Sequence, residues 1–411
     1  MKKKKVLLTN FNVLNFSGSE IDIVTIANYF VNHNYDVDIF TLAYGMPLSN
    51  ILDDRVRVFT INNEKDMYAN YDLIWAHHYP LLDYLLFNLK IKAKHIIYIS
   101  LSSFEPLEML PDYYMDLSLI GALINEAICV LKSHMIEKRE ILTFPNYATA
   151  NYFKIVPKKI DKISKICIIS NHVPDELLDF KKIANKKGID VDIYGMGNVV
   201  KFVDDKLLSS YDVVISIGKT VYYCLAMGKL IYCYDRFGGY GFINAKNVDD
   251  CFKYNFSGRG FGVKKTGKEI YNEIVNNFSK TQNDFEKLKK YAYDKFDFEN
   301  NIEKILEKLN KDNCVDCDKL VKKYPAFGVK SRLYVQNNIY EMERLRKENR
   351  ELNDKHKLYE LEMLRKDNEI LIKRCSLLEK EITNLYSSTS WRITSPIRRL
   401  KKIIFKVFKV K

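Results

Sequence analysis

The 411-residue sequence lacks any uninterrupted apolar run of the roughly 18 residues needed to cross a bilayer. The nearest candidate, 119–131, is short and contains Asn125 and Glu126, so we expect a buried helix there. The basic start, MKKKKVLLTNF, has only Val6 to Leu8 as an apolar segment, which is too short for a signal peptide. We therefore expect a cytoplasmic protein without a membrane-spanning helix.

Cysteine is too scattered for a disulfide framework, because the eight residues are spread along a long chain, mostly among apolar neighbours. Cys314 and Cys317 form a lone CxxC without a second pair or nearby histidines, which is weak evidence for a zinc or redox site. The sequence also lacks a Walker motif, a metal-ligand spacing among its histidines and a DxD-type acid pair at a strand exit. These absences favour a site without a metal or a bound cofactor.

Positive charge is in excess, with 65 Lys and Arg against 52 Asp and Glu and a formal net charge of +13. Lys2 to Lys5, together with eight cations and no acid in 390–411, account for almost all of this excess. Because the body is nearly neutral, a broad nucleic-acid-binding surface is not expected. We expect no nucleic-acid partner and a localised contact for the basic tail.

Strand and helix patterns alternate through the first 310 residues. KVLLTNF, YDVDIFTL, YDLIWAHH and HIIYISL have the apolar content of buried strands, and the same alternation restarts with KICIIS, VDIYGMG, YDVVISIGKT and KLIYCYD. Strands alternating with helices predict parallel sheets. We therefore expect an α/β fold with two Rossmann-like, doubly wound domains at 1–155 and 160–310, followed by a linker at 311–332.

The pattern from residue 333 to 386 is typical of a coiled coil. Leucine recurs every seven positions, at Leu364, Leu371, Leu378 and Leu385. A second set lies three residues before each of these leucines: Leu361, Asn368, Cys375 and Ile382. Together the two sets form the a and d positions of one seam. An earlier seam lies in a different register, with a break near Lys357: Met342, Leu345, Asn349, Leu352 and Tyr359. The seams predict a homo-oligomer, with a solvated helix folded back on the body as the alternative.

The last segment, 387–411, predicts a basic amphipathic helix after Pro396. Apolar residues share one face of this helix: Ile397, Leu400, Ile404, Val407 and Phe408. Cations gather on the opposite face, without any acid, which is typical of a helix lying on an anionic membrane surface. We expect 390–411 to make this contact, and the alternative is a helix docked on the protein's own body.

Glycine-rich loops at strand ends supply the candidate binding residues, because glycine admits a ligand close to the backbone and helix amino termini bind anions. The candidates in these loops are Gly18, Ser19 and Glu20 in FSGSE; Gly195 and Gly197 in GMG; Gly218, Lys219 and Thr220 in SIGKT; Gly238 and Gly239 in FGGYG; and Arg259 in NFSGRG. A lysine at a helix start suits a diphosphate, and a guanidinium can neutralise phosphate. An ordinary surface loop is the alternative for each of them.

Three histidines lie where strands end. His77 and His78 close one predicted strand, and His172 follows another. Histidine suits a general base or a contact to a sugar hydroxyl. A purely structural role is the alternative, and no spacing links the three as metal ligands.

Together these motifs resemble bacterial GT-B glycosyltransferases over most of residues 5–280 and again at 387–400. The stretch VLLTNF…FSGSE resembles the start of the acceptor domain, and ISNHVPDEL, LAMGKLIYCYDRFGGYGFI and NFSGRG resemble the donor domain. STSWRITSPIRRL is similar to a segment that often follows a coiled coil in surface-polysaccharide glycosyltransferases. The resemblance implies metal-independent transfer of a sugar from a nucleotide-sugar to a glycan or lipid-linked acceptor in surface polysaccharide synthesis, at the inner face of the cell membrane.

The same resemblance assigns the donor to loops that include Asn171 and His172, and it exposes two departures. Many retaining members carry a Glu that contacts the ribose where this chain has Tyr223. An Arg–Lys pair that many members use on the diphosphate is also not visible after Ser170, and Lys219 or Arg259 is the candidate to replace it. A non-catalytic GT-B scaffold that organises other transferases is therefore the alternative function. An inverting enzyme would need a side-chain base, which His77 or His78 could supply, and the sequence leaves the stereochemistry open.

Overall fold

The computed structural model describes residues 3–102, 105–135, 137–195 and 197–387. The chain forms two compact units, 1–336 and 337–411. In chain order the strands are β1 (Lys5–Thr9), β2 (Asn12–Val13), β3 (Asp36–Phe40), β4 (Ala43–Tyr44), β5 (Arg57–Phe59), β6 (Asn70–Ala76), β7 (Lys92–Ser100), β8 (Leu119–Ala122), β9 (Leu142–Thr143), β10 (Lys165–Ile169), β11 (Asp190–Tyr194), β12 (Val213–Ser216), β13 (Leu230–Asp235) and β14 (Gly238–Phe242). The helices are α1 (Gly18–Asn32), α2 (Tyr79–Asp83), α3 (Asn125–His134), α4 (Ala150–Phe153), α5 (Asp175–Lys186), α6 (Asp205–Ser209), α7 (Lys219–Met227), α8 (Val248–Lys253), α9 (Gly267–Thr281), α10 (Phe285–Phe296), α11 (Phe298–Leu306), α12 (Cys317–Lys323) and α13 (Phe327–Ser387).

Seven parallel strands form the sheet of the first domain, in the order β5-β3-β1-β6-β7-β8-β9. Side chains alternate between the two faces of a strand. Val6 and Leu8 of β1 belong to the core that includes α1, and Leu7, on the other face, is also fully buried. A parallel sheet covered on both faces needs strands that are apolar along their whole length, which explains the continuous apolar runs in the sequence.

The second domain has a five-stranded sheet in the order β11-β10-β12-β13-β14, with only β14 antiparallel among its described pairings. Val213, Val214 and Ile215 of β12 are fully buried. α7 follows β12 and is buried along nearly its whole length. The predicted α/β class with two Rossmann-like domains is therefore confirmed.

The chain passes from the first domain to the second and later returns, and the two crossings lie side by side. Ala148 leaves the first domain and exchanges backbone hydrogen bonds of 3.0 Å with Phe296 and 3.1 Å with Phe298, where the chain returns. Phe298, Ile302 and Ile305 of α11 then pack in the core of the first domain. The sequence predicts a second domain that extends to residue 310, whereas α11, which lies within that range, packs in the core of the first domain.

The segment expected as a linker, 311–332, forms α12 and the start of α13. The buried Cys317 thiol accepts a hydrogen bond from the Ala93 backbone in β7 at 3.4 Å, whereas Cys314 is exposed. Phe327 packs its ring against those of Phe87 and Tyr113. This segment therefore covers part of the first domain. Among the described residues, no cluster of three or more His, Cys, Asp or Glu could hold a metal.

The second unit is helical throughout its described part, which ends at residue 387. The leucines of both predicted seams whose side chains are described lie between 50% and 64% exposed: Leu345, Leu352, Leu361, Leu364, Leu371 and Leu378. The predicted membrane-binding segment, 390–411, lies outside the described residues. Of the helices in the described ranges, none combines the length and apolarity that a membrane span requires.

Candidate functional site

The two domains meet along a cleft, where segments that follow β2, β8, β11 and β12 lie close together. Contacts across it include Asp22 Oδ1 to Lys219 Nζ at 3.2 Å, Glu126 Oε2 to Arg259 Nη2 at 2.7 Å, Asn255 Oδ1 to Asn146 Nδ2 at 3.1 Å, and the ring centroids of Phe16 and Phe202 at 5.2 Å. Parallel α/β sheets bind ligands at the carboxyl ends of their strands. These contacts therefore hold together the two edges at which ligands are expected.

His78 is a buried residue with both ring nitrogens engaged. Its Nδ1 accepts a hydrogen bond from the Phe11 backbone at 2.9 Å. Its Nε2 lies 3.0 Å from Glu108 Oε1 and therefore carries the proton that it donates to this carboxylate. Glu108 is 3% exposed and also accepts a hydrogen bond from the Leu101 backbone. The pair fixes the tautomer and the orientation of the His78 ring.

His77 is fully buried beside the cleft. Its Nε2 accepts a hydrogen bond from Trp75 Nε1 at 3.3 Å and lies 3.8 Å from Asp22 Oδ2. Its Nδ1 has no hydrogen-bond partner, and neither has Asp22 Oδ2. Burial lowers the pKa of His77 to about 4, despite the nearby carboxylates of Asp22 and Glu108. The ring is therefore neutral at physiological pH.

The low pKa of His77 predicts a dependence of stability on pH. Unfolded chains bind a proton near pH 6.5 and the folded chain only near pH 4, so the free energy of unfolding falls as pH drops through this window. The loss is on the order of 3 kcal/mol. We expect His77→Gln to flatten the slope of the free energy of unfolding between pH 4 and 6.5 in urea denaturation. Equal slopes in wild type and His77→Gln would contradict this.

The loop FSGSE places Gly18 and Ser19 at the amino terminus of α1. Nothing lies within 4 Å of the position that a Gly18 side chain would take, so a ligand can approach this backbone. Glu20 is used differently: its buried carboxylate accepts hydrogen bonds from the Leu14 and Asn15 backbones and from the Ser17 hydroxyl. Glu20 therefore folds its own loop and presents the amino end of α1 to the cleft.

Gly218 and Lys219 form the second helix amino terminus at the cleft. Gly218 has φ of 55° and open space where a side chain would be, and Thr220 after it is buried. The Lys219 ammonium is 12% exposed, pairs with Asp22 and lies 4.7 Å from the ring centroid of Tyr147. Burial opposes its charged form, but Tyr223 and Asp22 outweigh this and raise the pKa of Lys219.

Tyr223 lies one turn further along α7 and is nearly buried. Its ring stacks on that of Tyr152, with centroids 4.2 Å apart and planes at 4°. It also lines a cavity of about 550 Å³ that runs beside α1, together with Thr25 and Phe202. Burial raises the pKa of the Tyr223 hydroxyl, so it is a neutral polar group at the wall of this cavity.

The loops after β10 and β11 are close to each other. Asn171 and His172 are exposed, and His172 donates its backbone N–H to the Ser170 hydroxyl. A side chain on Gly195 would lie 2.1 Å from the Ser170 carbonyl, so this glycine permits the two loops to meet. Gly197 is exposed, with φ of 78°. These four candidates therefore share one edge of the second sheet.

Gly238 and Gly239 have a packing role that the sequence motifs do not reveal. A side chain on Gly238 would lie 2.1 Å from the Val263 carbonyl, and one on Gly239 would lie 2.0 Å from that of Cys233. Both glycines are buried under the loop that carries Arg259. They position Arg259, which meets Glu126 of the first domain, and offer no open backbone themselves.

Alanine substitutions at Gly258 and Gly18 should distinguish a glycine that close packing requires from one that leaves room for a ligand. An alanine Cβ at position 258 would lie 2.1 Å from the Gly238 carbonyl, so we expect Gly258→Ala to cost about 1–3 kcal/mol of stability. Gly18→Ala meets open space and should leave the melting temperature within about 2 °C, because backbone-compatible surface changes are nearly neutral. Thermal denaturation of both variants tests this. A melting temperature of Gly258→Ala as high as that of wild type would show that the loop around Gly258 can shift freely.

Sequence patterns missed the acids of the cleft. Asp22 is 4% exposed and sits among apolar neighbours on α1, a placement that signals a partnered charge. Glu108 ends a three-residue 3-10 helix, Pro106–Glu108, that no sequence pattern announces, and Glu126 looks like an ordinary acid at a helix start. Glu126 pairs with a residue 133 positions away in sequence, and Asp22 with one 197 positions away, so a local motif cannot reveal either pair.

No known family profile matches this sequence, and no curated protein matches it. A solved structure of an S. aureus TarM mutant in complex with fondaparinux, α-GlcNAc-glycerol and UDP aligns with a TM-score of 0.50 and 12% identity, covering 75% of this chain and all of that one. A UDP-GlcNAc 2-epimerase from Neisseria meningitidis aligns with a TM-score of 0.43 and 13% identity over 74% of this chain and 99% of that chain. The fold assignment rests on the first alignment. The chain has the two-domain GT-B fold.

Proposed function

We propose that this protein is a glycosyltransferase that moves a sugar from a nucleotide-sugar to a glycan or lipid-linked acceptor. The observation that carries the proposal is the cleft, where the Lys219 ammonium at the start of α7 meets Asp22 of α1, and where the backbones at Gly18 and Gly218 leave open space at the starts of the same two helices. Helix amino termini and cations stabilise the diphosphate that leaves in sugar transfer. The similarity to the TarM complex, which contains UDP and a glycosylated glycerol, supports this assignment.

In this proposal the second domain binds the nucleotide, through the edge formed by Asn171, His172, Gly195 and Gly197. The first domain presents the acceptor. Lys219 is already paired with Asp22, so the diphosphate must compete with this carboxylate for the ammonium. Donor binding is therefore coupled to the contact between the domains.

The histidines favour a reaction without a side-chain base. The lone pair of His78 Nδ1 accepts from the Phe11 backbone, and that of His77 Nε2 accepts from Trp75. Neither ring in this arrangement offers a lone pair to an acceptor hydroxyl. We therefore assign both a positioning role and expect the departing diphosphate to take the hydroxyl proton, as in a retaining transferase, without a metal ion.

The test is a titration of the full chain with UDP, GDP and TDP, followed by a transfer assay with the sugar donors of the nucleotide that binds. We expect one nucleotide to bind in the micromolar range and its sugar to be hydrolysed or transferred at equal rates with and without EDTA. No binding of any of the three would overturn the proposal.

We place the reaction at the inner face of the cell membrane, in the synthesis of surface polysaccharide, through the basic segment 390–411. Its apolar face and eight cations suit an anionic lipid surface. The full chain should float with liposomes that contain phosphatidylglycerol, and a chain that ends at residue 389 should remain in solution. Equal flotation of the two proteins would contradict this placement.

A non-catalytic scaffold is the second candidate, favoured by one observation. Both cations that could meet a diphosphate, Lys219 and Arg259, are neutralised by acids of the opposite domain. Many retaining GT-B transferases have a Glu at the position of Tyr223, whose ring in this protein stacks on that of Tyr152. A scaffold would keep its fold and self-association and bind no nucleotide.

A further inference from the structure

One face of the helix in the second unit carries a row of exposed leucines. Leu361, Leu364, Leu371 and Leu378 are between 50% and 64% exposed; Leu361 holds an a position, and the other three hold successive d positions seven residues apart. Each leucine would contribute about 1.5–3 kcal/mol on full burial. A regular apolar stripe of this length is covered by another helix in a coiled coil.

The polar residues at the a positions restrict which partner fits. In the layer between Leu364 and Leu371 the a residue is Asn368, and in the next layer it is Cys375. In an antiparallel pair an a residue faces a d residue, so the Asn368 amide would be buried against leucine. Only a parallel pair in the same register opposes Asn368 to its own copy, where the two amides can hydrogen-bond.

The charges that flank the stripe fit the same register. In a parallel pair each g residue faces the e residue five positions later in the partner. Of the three such pairs within 360–379, two join opposite charges, Glu360 with Arg365 and Arg374 with Glu379, and each occurs twice by symmetry. A shift of one heptad would instead oppose Glu360 or Arg374 to Ile372. The in-register pairing is therefore favoured by charge as well as by the asparagine.

We propose that residues 360–379 pair with the same residues of a second copy as a parallel, in-register, two-stranded coiled coil. The partner is a second copy of this chain because the complementary charges and the asparagine are both self-matching. Leucine at every d position and one asparagine at an a position favour two strands. In this dimer the two Cys375 thiols face each other across one layer.

Cys375 provides the test of orientation and register. In full-length protein with the other exposed cysteines replaced, Cys129→Ser and Cys314→Ser, mild diamide should join two chains through Cys375, with diamide accepting the two thiol hydrogens. Light scattering should give a dimer at micromolar concentration before oxidation. Cys375→Ser in the same background should stay dimeric and lose the cross-link.

Matched variants separate the seam from the rest of the helix. Leu371→Lys should give a monomer whose first unit unfolds at the same temperature as in wild type, whereas Lys366→Glu on the outer face should remain dimeric. A monomeric wild type, a trimer, or a dimer that does not cross-link through Cys375 would each overturn the proposal. Nucleotide binding by the Leu371→Lys monomer is measured separately, so failure here leaves the proposed function untouched.

Discussion

Lys219→Met should reduce kcat/KM for the proposed sugar transfer by about 100-fold, because it removes a preorganised cation from the site proposed for the leaving diphosphate. Lys219 is 12% exposed, at the start of α7, so water screens it little. The affinity for the free nucleoside diphosphate should fall in parallel. Titration calorimetry with the nucleotide that binds wild type, alongside initial rates, measures both effects.

The same substitution removes the ammonium that pairs with the buried Asp22 carboxylate, so it should also lower the stability of the protein. Removing one partner of a buried ion pair costs about 3–5 kcal/mol. Asp22→Asn/Lys219→Met should therefore regain much of the stability of wild type but none of its activity. Asp22→Asn alone frees the ammonium and should bind the nucleotide at least as tightly as wild type. Full activity in the double variant would remove Lys219 from the proposed mechanism.

Phe298→Ala should destabilise the first domain by about 3–5 kcal/mol, the usual cost of truncating a buried phenylalanine. The Phe298 ring is 3% exposed and packs against Tyr147 and Tyr29, with centroids 4.4 and 5.4 Å away. The free energy of unfolding from urea denaturation measures the effect.

Phe237→Ala is the matched control, because this phenylalanine is 40% exposed. It should change the free energy of unfolding by about 0.5 kcal/mol or less. A loss at Phe298 no larger than at Phe237 would mean that α11 contributes little to the first domain's core.

The domain class could be predicted from the strands because burial on both faces of a parallel sheet leaves a continuous apolar run. β12 reads VVIS and β13 reads LIYCYD, and every residue of both is buried. The cleft could be anticipated for the same reason, since glycines such as Gly195 and Gly218 come within two residues of a strand end. These features depend on neighbours close in sequence.

The remaining features depend on partners that are distant in sequence. FGGYG looks like a ligand loop, but its glycines are required by close packing against the Cys233 and Val263 carbonyls. Glu20 looks like a helix-start ligand, but it folds its own loop. The pairing of Asp22 with Lys219 joins residues from different domains, and no spacing rule relates them.

The return of the chain at Ala148 and Phe298 has a consequence for biosynthesis. The first domain lacks α11 until the ribosome has synthesised the whole second domain, so its core around Phe298, Ile302 and Ile305 stays incomplete during translation. Domains generally fold as units, from the amino terminus onwards. Here the amino-terminal domain is begun first and completed last, and a nascent chain that stalls before residue 298 exposes an apolar surface that chaperones would recognise.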